Sequence, residues 1–520
     1  MLQSCEFRTS GSMQHTEQPP AFGKWRNRLW PFHRHEMKKL FPLILMKFLV
    51  SVIYCVLFCL KDTIAITTKG SGAEAIPVLK SVVVFPAALI AAFCYSRLSA
   101  IVKKTTLFYT TTLSFLLFLF VYAFFIYPNP EPFIPHESAN WLTSVLGENQ
   151  SHWVSVYRNW MHSLFFAVAE LWGSVMILVV FWGFANEITT ISEAKRSYNI
   201  YIAAGNLAPL ITGKAVNWLT KKLSIFEFSF TVQCLITFVL VAGFTIIGLY
   251  GYVQRKVLVN LPVKSKEEVV PTKKEKISFF QGLKHLVTSP YLLGITVLVI
   301  GYGLCFTLVE ISWKANLKLA FPNQADFQAF TAECQSYVGG FAFFISAFLG
   351  SSILRRFGWL VTAQMAPLIV GGTGLIFLLL CSNPAMTNLV APLAGVSPLF
   401  LLVYLGAFHN VSSKIAKYSF FDPTKEMAYI PLTENEKVKG KASIDIVGSR
   451  LGKTGASFVN LFLIGIVGTG SALSITHILV PLTLIVTVAW MVAVSSLNKK
   501  FALKISQPEP ADEQVISTTS

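Results

Sequence analysis

The chain alternates long apolar runs with short polar breaks. A hydrocarbon core of roughly 30 Å takes about twenty helical residues to cross. Runs of that length fall near residues 42–60, 77–96, 107–127, 159–184, 198–219, 228–253, 291–313, 327–353, 361–381, 391–411, 444–468 and 473–497. The pattern predicts an all-α membrane protein with about twelve transmembrane helices. The fifth run is the most polar, carrying Asn199, Gly205, Asn206, Pro209, Gly213 and Lys214. Such a helix is tolerated where it faces a water-filled cavity instead of lipid.

The breaks alternate in charge. Arg97, Lys103 and Lys104 follow the second run, Lys195 and Arg196 the fourth, Arg355 and Arg356 the eighth, and Lys499, Lys500 and Lys504 the twelfth. The long break from Pro128 to Tyr157 holds Glu131, Glu137 and Glu148 and no Lys or Arg. Basic loops stay on the cytoplasmic side, which predicts that both termini are cytoplasmic. A basic, polar segment from about Gln254 to Pro290 splits the runs six and six. The expected organisation is a basic N-terminal tail (1–41), a first six-helix half (42–253), a cytoplasmic linker (254–290), a second half (291–498) and a C-terminal tail (499–520). Two six-helix halves joined by a hinge are the layout of major-facilitator-like transporters, which bind substrate between the halves near the midplane. By analogy of fold, the first, fourth, seventh and tenth helices line that cavity.

Composition agrees. The chain is 53% hydrophobic and only 13% charged, with mean hydropathy +0.58. Its net charge of +17 lies in loops between apolar runs, so it sets membrane orientation and does not point to nucleic acid. None of the eight cysteines forms a CxxC pair, and most lie in apolar runs, where cysteine acts as a small hydrophobe. Neither a disulfide framework, a metal site nor a cofactor is expected.

Candidate chemistry comes from charges at membrane depth, which are costly unless they line a cavity or find a partner. Glu170 sits in Phe165-Phe166-Ala167-Val168-Ala169-Glu170-Leu171-Trp172 and Glu310 in Cys305-Phe306-Thr307-Leu308-Val309-Glu310-Ile311-Ser312-Trp313. The plainer expectation is a buried ion pair with Lys80 or Lys314, but buried pairs seldom add net stability and need another reason to be kept. Lys80 is flanked by Ile76-Pro77-Val78-Leu79 and Ser81-Val82-Val83-Val84. Lys61 and Asp62 close the first run; snorkelling to the interface is the simpler expectation for Lys61 and Lys69, although both stand beside the candidate chamber. Lysines around a wet chamber suit a polyphosphate, so the substrate is expected to be anionic.

Gly448-Ser449-Arg450-Leu451-Gly452-Lys453-Thr454-Gly455 looks like a phosphate loop, but only three residues separate Gly448 from Gly452 where a Walker A motif has four. It reads instead as close helix packing with Lys453 directed at the cavity. His162, His409 and His477 are isolated, and each is expected to be a satisfied core or interface histidine. Asn149-Gln150-Ser151 matches a glycosylation acceptor. No Ser-His-Asp, HExxH or metal spacing appears in the loops, so no enzyme is expected.

Several strings taken together resemble the nucleotide transporter family, the ATP/ADP translocases of obligate intracellular bacteria and plastids. They are Lys69 to Pro77, Ala169 to Val175, Phe181 to Ile188, Glu193 to Arg196, Val309 to Lys314, Phe421 to Leu432 and Lys437 to Asp445. The resemblance spans roughly residues 22–500. It implies a twelve-helix carrier in a bacterial inner membrane that exchanges ATP for ADP. Paralogues move GTP, UTP, mixed ribonucleotides or NAD, by exchange or by proton symport. The family's intramembrane charges map by motif onto Lys80, Glu170, Glu310 and Lys453, so the candidate substrate-binding set is these four with Lys61 and Asp62. One departure stands out. Exchangers of the family carry an Arg-Asp pair shortly before the Lys-Asp, where this chain has Phe58-Cys59-Leu60-Lys61-Asp62.

Overall fold

A computed structural model describes residues 34–189, 191–257, 289–345, 350–432, 444 and 448–506. The N-terminal tail to residue 33, most of the linker, the stretch from Lys437 to Ser443 with Asp445, and the last fourteen residues lie outside that set. The described chain is helical, with no strand among the described residues.

Twelve long helices follow one another: α1 Arg34–Thr67, α2 Ala75–Ile101, α3 Lys104–Ile126, α4 Trp160–Ile188, α5 Ile191–Lys222, α6 Phe228–Val257, α7 Pro290–Ala320, α8 Gln324–Phe344, α9 Gly350–Ser382, α10 Pro398–Ala428, α11 Ser449–Val467 and α12 Thr476–Ser506. Among the described residues ten helices are long and apolar enough to span a bilayer. The exceptions are α5, already the most polar run in the sequence, and α8, with Gln324, Asp326, Gln328, Glu333 and Gln335.

Local chemistry sets the ends. Ser289, Asn323 and Ser397 cap α7, α8 and α10 by accepting backbone N–H bonds, and prolines follow Ser289 and Ser397 in the first turn. Gly468, at φ +71°, ends α11 in the left-handed conformation. The tenth run, expected over 391–411, is displaced. Pro392 and left-handed Gly395 break the chain, α10 restarts at Pro398, and it runs on to Ala428 through the more polar Ser412-Ser413-Lys414.

In the first set, α1 packs against α4, α5 and α6; in the second, α7 packs against α10, α11 and α12. The sets meet along two seams, α5 on α8 and α2 on α11. Small residues let the first seam close. A Cβ on Gly213 would stand 2.4 Å from the Ala332 carbonyl oxygen, and one on Gly339 2.3 Å from the Leu210 nitrogen.

Between described residues, the polar bonds joining the two sets lie at mid-depth or at the end away from the termini. At that far end Glu74 Oε1 accepts from the Ala472 backbone N–H at 2.8 Å, Tyr127 donates to Gln324 at 3.2 Å, and Lys318 donates to the Ser71 carbonyl. Asn149, from the long break, abuts Gly470. Among the described residues, these bonds latch the two sets at the far end.

Candidate functional site

The two conspicuous glutamates belong to one lattice of charge at the heart of the bundle. From α1, Lys61 Nζ contacts its neighbour Asp62 at 2.8 Å and Glu170 of α4 at 2.9 Å. Asp62 also receives Lys314 of α7 at 2.9 Å. Lys314, one turn beyond Glu310, pairs with it at 3.0 Å, and Glu310 in turn holds Lys80 of α2 at 2.9 Å. The order Glu170, Lys61, Asp62, Lys314, Glu310, Lys80 thus alternates in sign and crosses between the helix sets twice, at Asp62–Lys314 and at Lys80–Glu310.

Burial is graded along it. Lys61, Asp62, Glu310 and Lys314 are at most 5% exposed, whereas the Glu170 side chain keeps 28% and that of Lys80 14%. The lattice is walled in at its centre and wet at both ends. This corrects the snorkelling expectation for Lys61, whose ammonium is held inward by two carboxylates and the rings of Phe58 and Phe166, at 4.6 and 4.3 Å. Lys69 is exposed. Glu310 has both partners that the sequence suggested, while Glu170 takes Lys61.

Lys453 completes the expected set without joining the pairs. It is exposed, yet within electrostatic reach of Glu170, Lys80, Lys417 and Glu310 on surrounding helices. A side chain open to solvent while enclosed by protein lines an internal vestibule. It has no ion-pair partner among the described residues. Gly452 brings it there: α11 crosses α7 so closely that a Cβ on Gly452 would lie 2.9 Å from the Ile300 carbonyl oxygen. Gly448 and Gly455 have more room, so the packing role falls on Gly452.

Two further cations escape the sequence pattern. Lys414 of α10 donates to the neutral Gln335 at 2.9 Å and lies 4.5 Å from the Phe58 ring. The apolar run that signals the tenth helix ends at residue 411, short of this lysine. Arg450, half-buried on α11, feels the charge of Glu170 and has no carboxylate partner among the described residues. The three lysines and three carboxylates of the lattice cancel, so among the described residues Lys414, Arg450 and Lys453 remain without a carboxylate partner.

Some of the chain's π-helical turns fall at or beside these positions, while others, at Tyr122–Ile126 and Val253–Val257, do not. Wide π-helical turns cover Leu79–Val84, with Lys80; Gly173–Phe181, three residues past Glu170; and Lys417–Phe421. Such turns are rare and gather at functional positions. Of the isolated histidines, His162 bonds the Tyr122 hydroxyl at 2.8 Å and His477 is exposed, whereas His409 bonds the Thr373 hydroxyl at 2.9 Å through Nδ1 and leaves its buried Nε2 without a partner among the described residues.

A family model described as the TLC ATP/ADP transporter matches residues 15–501. The chain belongs to the TLC ATP/ADP transporter family. Relatives within it include ADP,ATP carrier protein 1 of Chlamydia pneumoniae, 38% identical over 98% of this chain and 100% of the relative. The chloroplastic ADP,ATP carrier protein 1 of Arabidopsis thaliana is 38% identical over 91% and 75%. ADP,ATP carrier protein 1 of Rickettsia prowazekii is 33% identical over 93% and 97%. These TLC relatives are carriers and transporters. Among solved structures, an inward-facing bacterial homologue of ferroportin superposes with TM-score 0.53 at 12% identity, covering 89% of this chain and 98% of its own. A POT family transporter superposes with TM-score 0.52 at 11% identity, covering 88% and 96%. This TLC protein therefore has a major-facilitator-like fold.

Proposed function

We propose that this protein exchanges ATP for ADP across a bacterial cytoplasmic membrane by alternating access, with both termini in the cytoplasm and no chemistry done on the nucleotide. The observation that carries the reading is the neutral charge lattice bound to a surplus of three vestibule cations. Cations gathered within a protein vestibule without counter-charges are costly, and a polyphosphate entering that vestibule supplies the counter-charge.

Lys453 and Lys80, with Arg450 and Lys414, engage phosphate oxygens as point charges and forks. As phosphate approaches, Lys80 exchanges Glu310 for substrate, and Glu310 retains Lys314. One of the lattice's two ionic ties between the helix sets then loosens. The substrate bridges the sets in its place, and the halves rock about it, releasing the far-end contacts of Glu74, Tyr127 and Lys318. Without substrate, the same passage would strand unpaired charges in a dry interior, so the empty carrier is held back. That asymmetry makes the protein an exchanger.

The test is counterflow in proteoliposomes, with labelled ATP outside and ADP or buffer inside. Internal ADP is expected to raise uptake at least tenfold. Equal uptake with buffer inside, driven by an imposed pH gradient, would replace exchange by proton symport. The departure at Phe58-Cys59 bears on nucleotide choice, and competition by excess ADP, GTP, UTP, CTP and NAD decides it.

A further inference from the structure

From Ser51 to Ile66 every residue of α1 is buried except two, and both are aromatic: Tyr54 and Phe58. They stand one helical turn apart with ring centroids 6.1 Å from each other. The first helix therefore meets the vestibule through a pair of rings and nothing else along this stretch. Tyr54 lies directly against the backbone of α4. A Cβ on Gly173 would sit 2.8 Å from its Cε2, so only glycine lets the ring settle there, three residues from Glu170. The Phe58 ring is approached by two ammonium groups, Lys61 at 4.6 Å, which the lattice holds in place, and Lys414 at 4.5 Å. Lys414 is only half-buried and, among the described residues, its hydrogen-bond partner is the neutral Gln335. A flexible ammonium is displaced far more readily than packed carbon, and it has phosphate to move to.

Resting on the nucleotide reading above and deepening it, we propose that Tyr54 and Phe58 are the stacking platform for the nucleobase and so determine which nucleotides the vestibule accepts. The open cations nearby, Lys80, Arg450, Lys414 and Lys453, read phosphate and are blind to the base. An apolar π-surface beside them supplies the complementary half of the recognition. Every base has a π-face, so stacking contributes affinity without demanding a hydrogen-bond code. The platform therefore tolerates more than one base and favours the larger purines.

The test compares ADP with inorganic tripolyphosphate, a probe that carries the phosphates and lacks the base. Dissociation constants are measured by calorimetry on the purified full-length chain in nanodiscs, with a melting curve on each sample. Phe58→Leu and Tyr54→Leu are expected to weaken ADP binding by about 5- to 150-fold, the range that base stacking contributes. Tripolyphosphate should stay within about twofold of wild type. Phe58→Tyr and Tyr54→Phe, which keep the rings, should retain ADP binding; if Phe58→Leu does not fold, Phe58→Met carries the same comparison. Equal loss of both probes, or loss of neither, overturns the platform and leaves the transport reading standing. A wild-type protein that binds tripolyphosphate but not ADP, or binds neither, overturns both.

Discussion

Individual side chains in the vestibule divide into those held by partners and those held for substrate, and substitution separates the two groups. Asp62 is shared between two lysines inside a closed interior. Asp62→Ala leaves both cations short of a counter-charge and is expected to destabilise the protein by about 3–5 kcal/mol, read as a loss of cooperative melting in detergent. Lys453 behaves in the opposite way. With no ion-pair partner among the described residues, Lys453→Gln removes an unfavourable charge, so the melting temperature should hold or rise while counterflow falls by tenfold or more. A drop in melting temperature comparable to that of Asp62→Ala would move Lys453 out of the substrate group. Glu170 lies between these cases. Glu170→Gln keeps a hydrogen-bond acceptor for Lys61, which also retains Asp62, so the protein should fold and exchange more slowly; unchanged uptake would remove Glu170 from the cycle.

Helices carry the next level of the argument, and the α5–α8 seam is where it can be tested. Its close approach depends on Gly213 and Gly339, and the neighbouring far-end ties to Gln324 and Gln328 hold the two sets together on that side. Gly339→Val inserts a branched side chain where even a Cβ would collide with the α5 backbone. The closed far end is therefore expected to lose ground to a far-end-open state. A cysteine placed at Gln328, which is buried beside Thr63, should react faster with a membrane-impermeant thiol reagent in the Gly339→Val background; an unchanged rate would mean that the seam is not a gate. The same seam explains a limit of hydropathy. α5 and α8 are too polar to look like independent spans because they face one another and the cavity more than lipid, and the apolar signal of α10 stops before Ser412 for the same reason.

At the scale of the whole molecule, exchange of ATP for ADP moves about one net negative charge per cycle. A membrane potential of 100 mV acts on that charge with about 2.3 kcal/mol, enough to bias the direction by about 50-fold. Proteoliposomes clamped with potassium and valinomycin should therefore show ATP entry rising when the interior is made positive and falling when it is made negative. Uptake independent of the clamp would require a co-transported counter-ion such as phosphate.

Sequence alone determined the class of this protein, because a bilayer imposes the same crude demand on every segment that crosses it, and about twenty apolar residues satisfy it visibly. It also singled out Lys80, Glu170, Glu310 and Lys453, since a charge inside a greasy run is conspicuous whatever its partner. Which charges meet was decided only in three dimensions. Lys61 is 109 residues from Glu170 and Asp62 is 252 from Lys314, and no local pattern encodes pairings over such separations. The partial exposure of Tyr54 and Phe58 belongs to the same category: an aromatic ring reads identically in a sequence whether it faces a neighbour or a cavity, and only the packing of the helices around α1 left these two half-exposed.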